Sequence, residues 1–187
     1  MPVAYVDASA SGANNGSSWA NAFTSLQSAV ELLGCVDTIK VAKGDYKPTK
    51  DMFANTTPAD PRDKTFFISK NVALLGGYPT GGGVRNAVLN PTILRGAVGG
   101  VSSSSTYHVL VTKDLTNATT IDGFTITSGY CYVQNGVAET VSIGGVAAYR
   151  TRGAGVYNLP ASSPNFKACK ITGNSGVYMK RGKIPIC

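Results

Sequence analysis

Ile121-Asp122-Gly123-Phe124-Thr125-Ile126-Thr127-Ser128-Gly129 aligns residue for residue with Phe166-Lys167-Ala168-Cys169-Lys170-Ile171-Thr172-Gly173-Asn174, which sets Phe124 over Cys169 and Ile126 over Ile171. Asn71-Val72-Ala73-Leu74-Leu75-Gly76-Gly77 is a weaker third copy. Apolar and polar residues alternate or nearly alternate in each, the period of a strand with one buried face. Each stretch then ends in Gly or Asn. A solenoid needs that recurrence: every coil buries its inward side chains only against the coils above and below, and the chain must bend at the same corner each time.

Outward from these copies, further short β runs are predicted at 3–7, 38–42, 65–69, 92–95, 108–112 and 155–158, each bounded by Gly, Asn, Asp, Ser or Pro. No amphipathic helix separates them, which argues against βαβ units. A β-sandwich would favour tight Asn-Gly or Asp-Gly hairpins, and the one later candidate, Asn135-Gly136, sits in a long insertion at 128–153. The spacing predicts five or six coils of about 22 to 28 residues. One helix is expected over 24–33. Thr24-Ser25-Leu26-Gln27 fits a capping box, Phe23, Leu26, Val30 and Leu33 make one apolar stripe, and Gly34 stops it. The first coil of a solenoid has unpaired strand edges and an open core, so this helix, with Trp19 before it, is read as a cap.

Composition agrees. Of 187 residues, 22 are Gly, 43% are hydrophobic and only 14% are charged, which suits strands and turns and leaves few residues for charged helix surfaces. The whole chain, 1–187, is read as a single domain: a cap region at 1–35, coils at 36–176 and an atypical basic tail at 177–187, where the solenoid is expected to be truncated. No stretch reaches the ~18 apolar residues of a membrane span, and no basic start followed by an apolar run marks a signal peptide. The net charge of +7 is scattered until the region of Arg150, Arg152, Lys167, Lys170, Lys180, Arg181 and Lys183, so no specific nucleic-acid partner is expected. Cys35, Cys131, Cys169 and Cys187 have no CxxC spacing, which disfavours a zinc or thioredoxin-like site; one disulfide is open, with its pairing unread, and Cys169 is read as a small core residue.

Tyr5-Val6-Asp7, Gly16-Ser17-Ser18-Trp19, Ala22-Phe23, Leu26-Gln27 and Asp37-Thr38-Ile39-Lys40-Val41-Ala42-Lys43-Gly44-Asp45-Tyr46 resemble the N-terminal signature of bacterial right-handed parallel β-helix proteins, and Ile121-Asp122-Gly123-Phe124-Thr125-Ile126 and Gly153-Ala154-Gly155-Val156-Tyr157-Asn158 continue it. The resemblance runs to about Gly176. It implies the fold of the pectate-lyase-like superfamily, all-β with a short N-terminal capping α-helix, in a secreted or cell-surface protein.

Polysaccharide cleavage on such a fold needs carboxylates clustered around Ca2+ with a base, or a carboxylate pair. No β run carries paired Asp. Asp37, Asp45 and Asp122 read as turn residues, and the register between Asp114 and Asp122 is not visible. His108, the sole histidine, is expected as an exposed strand residue, and Arg95 as an outward-facing one. Gly76-Gly77 and Gly81-Gly82-Gly83 lack the Lys-Ser or Lys-Thr of a phosphate loop and read as tight corners. Trp19 is assigned to cap packing. Tyr130, Tyr132 and Tyr149 in the 128–153 insertion are the candidates for a contact surface, and the Pro-containing insertion 47–64 reads as an ordered loop. No catalytic, cofactor-binding or metal residue is assigned. The expected function is a non-catalytic scaffold or adhesin presenting loops to polysaccharide or to a host or cell-surface protein. The alternative is the N-terminal part of a polysaccharide lyase or glycoside hydrolase with its catalytic residues on later coils, and only there is Ca2+ expected.

Overall fold

The computed structural model describes residues 2–97, 104–133 and 137–176. In chain order the elements are β1 (Val3–Val6), α1 (Leu26–Val30), β2 (Thr38–Ala42), β3 (Gly44–Tyr46), β4 (Phe66–Ile68), β5 (Ala73–Tyr78), β6 (Thr92–Arg95) and β7 (Leu110–Thr112). Then follow β8 (Thr120–Asp122), β9 (Phe124–Thr127), β10 (Thr140–Ile143), β11 (Val146–Tyr149), β12 (Val156–Asn158), β13 (Asn165–Lys167) and β14 (Lys170–Ile171). Strands β1, β2, β5, β8 and β13 form one parallel sheet, β3, β6, β9 and β14 a second, and β4, β7 and β12 a third. From β2 onward the described chain visits first, second and third sheets in fixed rotation, interrupted by the antiparallel hairpin β10–β11. The protein is therefore mostly β, with parallel sheets and one short helix.

Register turns alternation into columns. Ala4, Ile39, Leu74, Ile121 and Phe166 stack across the first sheet, Tyr46, Leu94, Ile126 and Ile171 across the second, and Phe66, Leu110 and Val156 across the third. Side chains alternate along a strand, so one face of each sheet contributes these apolar columns, Ile171 excepted, to a single core cluster. Each fully buried member is worth about 1.5–3 kcal/mol relative to exposure. The 121–129 and 166–174 alignment is the observed register: Ile121 pairs with Phe166 and Ile126 with Ile171.

The sequence-read coil length is corrected. Val3 pairs with Thr38, Thr38 with Ala73, Ala73 with Thr120 and Thr120 with Asn165, so successive returns to the first sheet take 35, 35, 47 and 45 residues. Three strands and their loops, insertions included, make one circuit. Two runs expected as single strands are also bent: 120–127 breaks at Gly123, with φ of +81°, and 166–172 at Ala168, with φ of +45°. A left-handed backbone turn at that point carries the chain from the first sheet into the second.

The helix is shorter than its stripe predicts and is capped one residue later. Ser25, not Thr24, is the N-cap, its Oγ accepting the Gln27 N–H at 3.2 Å, while the Thr24 N–H donates to Asn14 Oδ1. The capping box is not completed, because Gln27 Oε1 is buried without a partner. Leu26, Ala29 and Val30 are buried, Phe23 and Leu33 pack beside them, and α1 contacts β1 and β4.

Cys35 is exposed, Cys131 buried and Cys169 half-buried against the core, and all three are free. Burial pushes the Cys131 and Cys169 thiols up. Cys187, Asn135-Gly136 and the basic tail lie outside the described residues. Among the described residues no helix is long and apolar enough to cross a membrane.

Candidate contact surface

The insertions 47–64 and 128–153 converge on the outer face of the third sheet. Met52 from the first and Ile143 and Ala148 from the hairpin form a second apolar cluster with Val111 and Leu159, against which Phe67 and Tyr157 pack. Strand β7 is consequently buried on both faces.

Two arginines lock the insertions together. Asp60 caps the 3-10 turn Pro61–Asp63, accepting the Arg62 N–H at 2.9 Å and, on its other oxygen, the Tyr107 hydroxyl at 2.7 Å. The Arg62 side chain turns inward. Its guanidinium donates to the carbonyls of Ser105 (2.9 Å), Tyr132 (2.8 Å) and Tyr130 (2.5 Å), and lies 4.0 Å from the Tyr107 ring centroid and 5.5 Å from that of Tyr130. Arg150 stands 5.4 Å from the same Tyr107 ring and grips the Asp63 carboxylate through Nε at 2.7 Å and Nη2 at 2.5 Å, with Nη1 on the Ala138 carbonyl. A two-point Arg–carboxylate contact fixes direction as well as distance. Asp63 and Arg150, far apart in sequence, thus become one contact, and only 14% and 11% of their side chains remain exposed.

Burial controls the protonation of the aromatic groups beneath. Burial, then the hydrogen bond to Asp60, pushes the Tyr107 hydroxyl up to about 12. His108 is buried rather than exposed, a correction to the sequence reading. Its Nδ1 faces the Gly153 carbonyl at 3.2 Å and its ring lies 5.0 Å from that of Tyr157. Desolvation is the main cause that lowers its pKa to about 4. The ring is neutral at physiological pH, and among the described residues no carboxylate is hydrogen-bonded to it.

Of the expected surface residues, Tyr130 and Tyr132 come together, 5.9 Å apart and half-buried. Tyr149, at the end of β11, is held under Arg152 at 4.2 Å. Asp45, Asp114 and Asp122 do not converge. Asp122 pairs with Arg85, Asp45 with Arg95, and Asp114 with Lys113, and Arg95 faces outward as expected. Among the described residues no group of three His, Cys, Asp or Glu is placed to hold a metal ion. Arg62, Arg150 and Asp63 were missed by sequence reading; Pro61 before a charged pair signals a turn and nothing about its partner. The chain matches no protein-family model, no curated protein and no solved structure.

Proposed function

We propose that the chain is a right-handed parallel β-helix of the pectate-lyase-like kind, closed at its first rung by α1, and that it serves as a non-catalytic scaffold or adhesin in a secreted or cell-surface setting. The three-sheet rotation supports the fold, and crossovers between parallel strands are right-handed in nearly all proteins. The observation that carries the function is the Arg62 and Arg150–Asp63 clamp. It fuses two insertions into one face bearing Tyr130, Tyr132 and Tyr149, half-exposed rings of the kind that stack on sugars or on apolar protein surface, while Asp45, Asp114 and Asp122 lie apart in separate ion pairs. The test is retention on immobilised polysaccharides and surface proteins. Retention without turnover is expected, lost in Tyr130→Ala with Tyr132→Ala, a change that leaves both backbone carbonyls on Arg62. Unsaturated products released from an acidic polysaccharide in the presence of Ca2+ would overturn the scaffold reading.

A further inference from the structure

Five large hydrophobic residues stand exposed among the described residues, and three of them, Val84, Val88 and Leu89, fall in the loop between β5 and β6 at 90%, 88% and 74% exposure. This loop is tied down along its length. The Gly81 N–H donates to Asp7 Oδ2 at 2.7 Å, Arg85 donates to the Gly76 carbonyl and pairs with Asp122, and the Asn86 N–H donates to the Gly77 carbonyl. Asn86 Oδ1 in turn accepts both the Val88 and the Leu89 N–H at 3.0 Å. Those anchors hold three aliphatic side chains out in water, where burial against something else is favoured.

What lies beneath the tip points to the occupant. Gly82, with φ of +88°, lies flat on Trp19, where a Cβ would come within 2.2 Å of the indole. Trp19 packs between Tyr5 and Tyr78, with centroids at 5.0 and 5.2 Å, and all three rings are half-buried. Lys40 Nζ lies over the Tyr5 and Tyr78 rings, and Lys43 is exposed where its N–H meets the Tyr78 carbonyl. Neither lysine has a carboxylate partner among the described residues, and residues 79–91 contain no acid. An aliphatic tip, an aromatic collar and then cations is the order of groups that a lipid monolayer presents in reverse: acyl chains, interfacial zone, anionic headgroups. Three aliphatic side chains fall far short of the ~800 Å2 per partner of a stable protein interface. We infer that the 79–91 loop, with Trp19 and Tyr78 behind it, docks the protein onto an anionic lipid surface.

The experiment is co-sedimentation of the full chain with vesicles of phosphatidylcholine, with and without phosphatidylglycerol. Binding is expected to the phosphatidylglycerol vesicles, weakening as salt is raised, and to fall about tenfold or more in Val84→Ser with Val88→Ser and Leu89→Ser. These side chains are strongly exposed and belong to neither core cluster, so the circular dichroism and melting temperature of the triple variant should match wild type. No binding by wild type, equal binding to both vesicle types, or undiminished binding by the triple variant would each overturn the inference. So would an oligomeric wild type that the triple variant renders monomeric, since the loop would then serve self-association. Glycan retention by the tyrosine face is read separately and does not depend on this result.

Discussion

Ile121, Phe124 and Ile126 are at most 1% exposed, whereas Phe166, Cys169 and Ile171, which sit over them in register, are only partly covered, and Ile171 is 53% exposed. Both sets follow the same apolar alternation and turn the same corner, with β8 and β13 of equal length and β14 two residues shorter than β9. Among the described residues, burial of an inward side chain thus follows the strands paired on either side of its own more than its own segment. At the opposite end β1 shows the complementary case: Ala4 and Val6 are 2% and 0% exposed because α1, with Leu26, Ala29 and Val30, lies over them.

The largest effect expected from this contrast is at equivalent isoleucines. Ile126→Ala should cost about 3 kcal/mol and Ile171→Ala less than about 1 kcal/mol, read as shifts of the urea midpoint. Equal costs would mean that β14 is as well packed as β9.

His108 sharpens the comparison, because the circuit that leads into β12 covers it through Gly153 and Tyr157. With its pKa lowered from 6.5 to about 4, the folded protein resists a proton that the unfolded chain accepts. Stability from this source is full above about pH 6.5 and is lost as pH falls toward 4, to a total of about 3 kcal/mol. As the sole histidine, it gives a single imidazole titration by NMR. An apparent value near 4 is expected, and one near 6.5 would mean that the β12 circuit leaves its place.

The corner itself gives the smallest difference. Gly123→Ala should destabilise by about 1–2 kcal/mol, since a Cβ at that φ is strained and would come within 2.5 Å of Arg85 Nη2. Ala168→Gly, at the same corner one rung on, should stabilise by up to about 1 kcal/mol by relieving the strain that Ala168 carries at φ +45°. Thermal melts of the two variants should therefore move in opposite directions.

Much of the fold was legible in the residues. The runs at 38–42 and 92–95 coincide with β2 and β6, and the offset between Ile126 and Ile171 is the true register, because alternation and punctuating Gly, Asn and Pro are local properties. What failed depends on residues remote in sequence. Circuit length was underestimated because loops and insertions carry no periodicity. The cap was displaced because Thr24 and Ser25 offer the same hydroxyl, and Asn14, ten residues earlier, claims the Thr24 backbone. His108 looked exposed because its cover comes from the segment around Gly153 and Tyr157. The candidate surface was half-legible: its tyrosines stood out in an insertion, but the arginine clamp joins positions 87 residues apart and leaves no local mark.

Amide hydrogen exchange followed by mass spectrometry tests the central claim most directly, by comparing peptides that cover 120–127 and 165–172. Backbone pairing to both sides should make exchange slow across β8 and β9, and pairing to one side, among the described residues, should leave β13 and β14 distinctly faster despite their similar alternation. Equal protection of the two peptides, or faster exchange in 120–127, would contradict the parallel strand order β5-β8-β13 and β6-β9-β14.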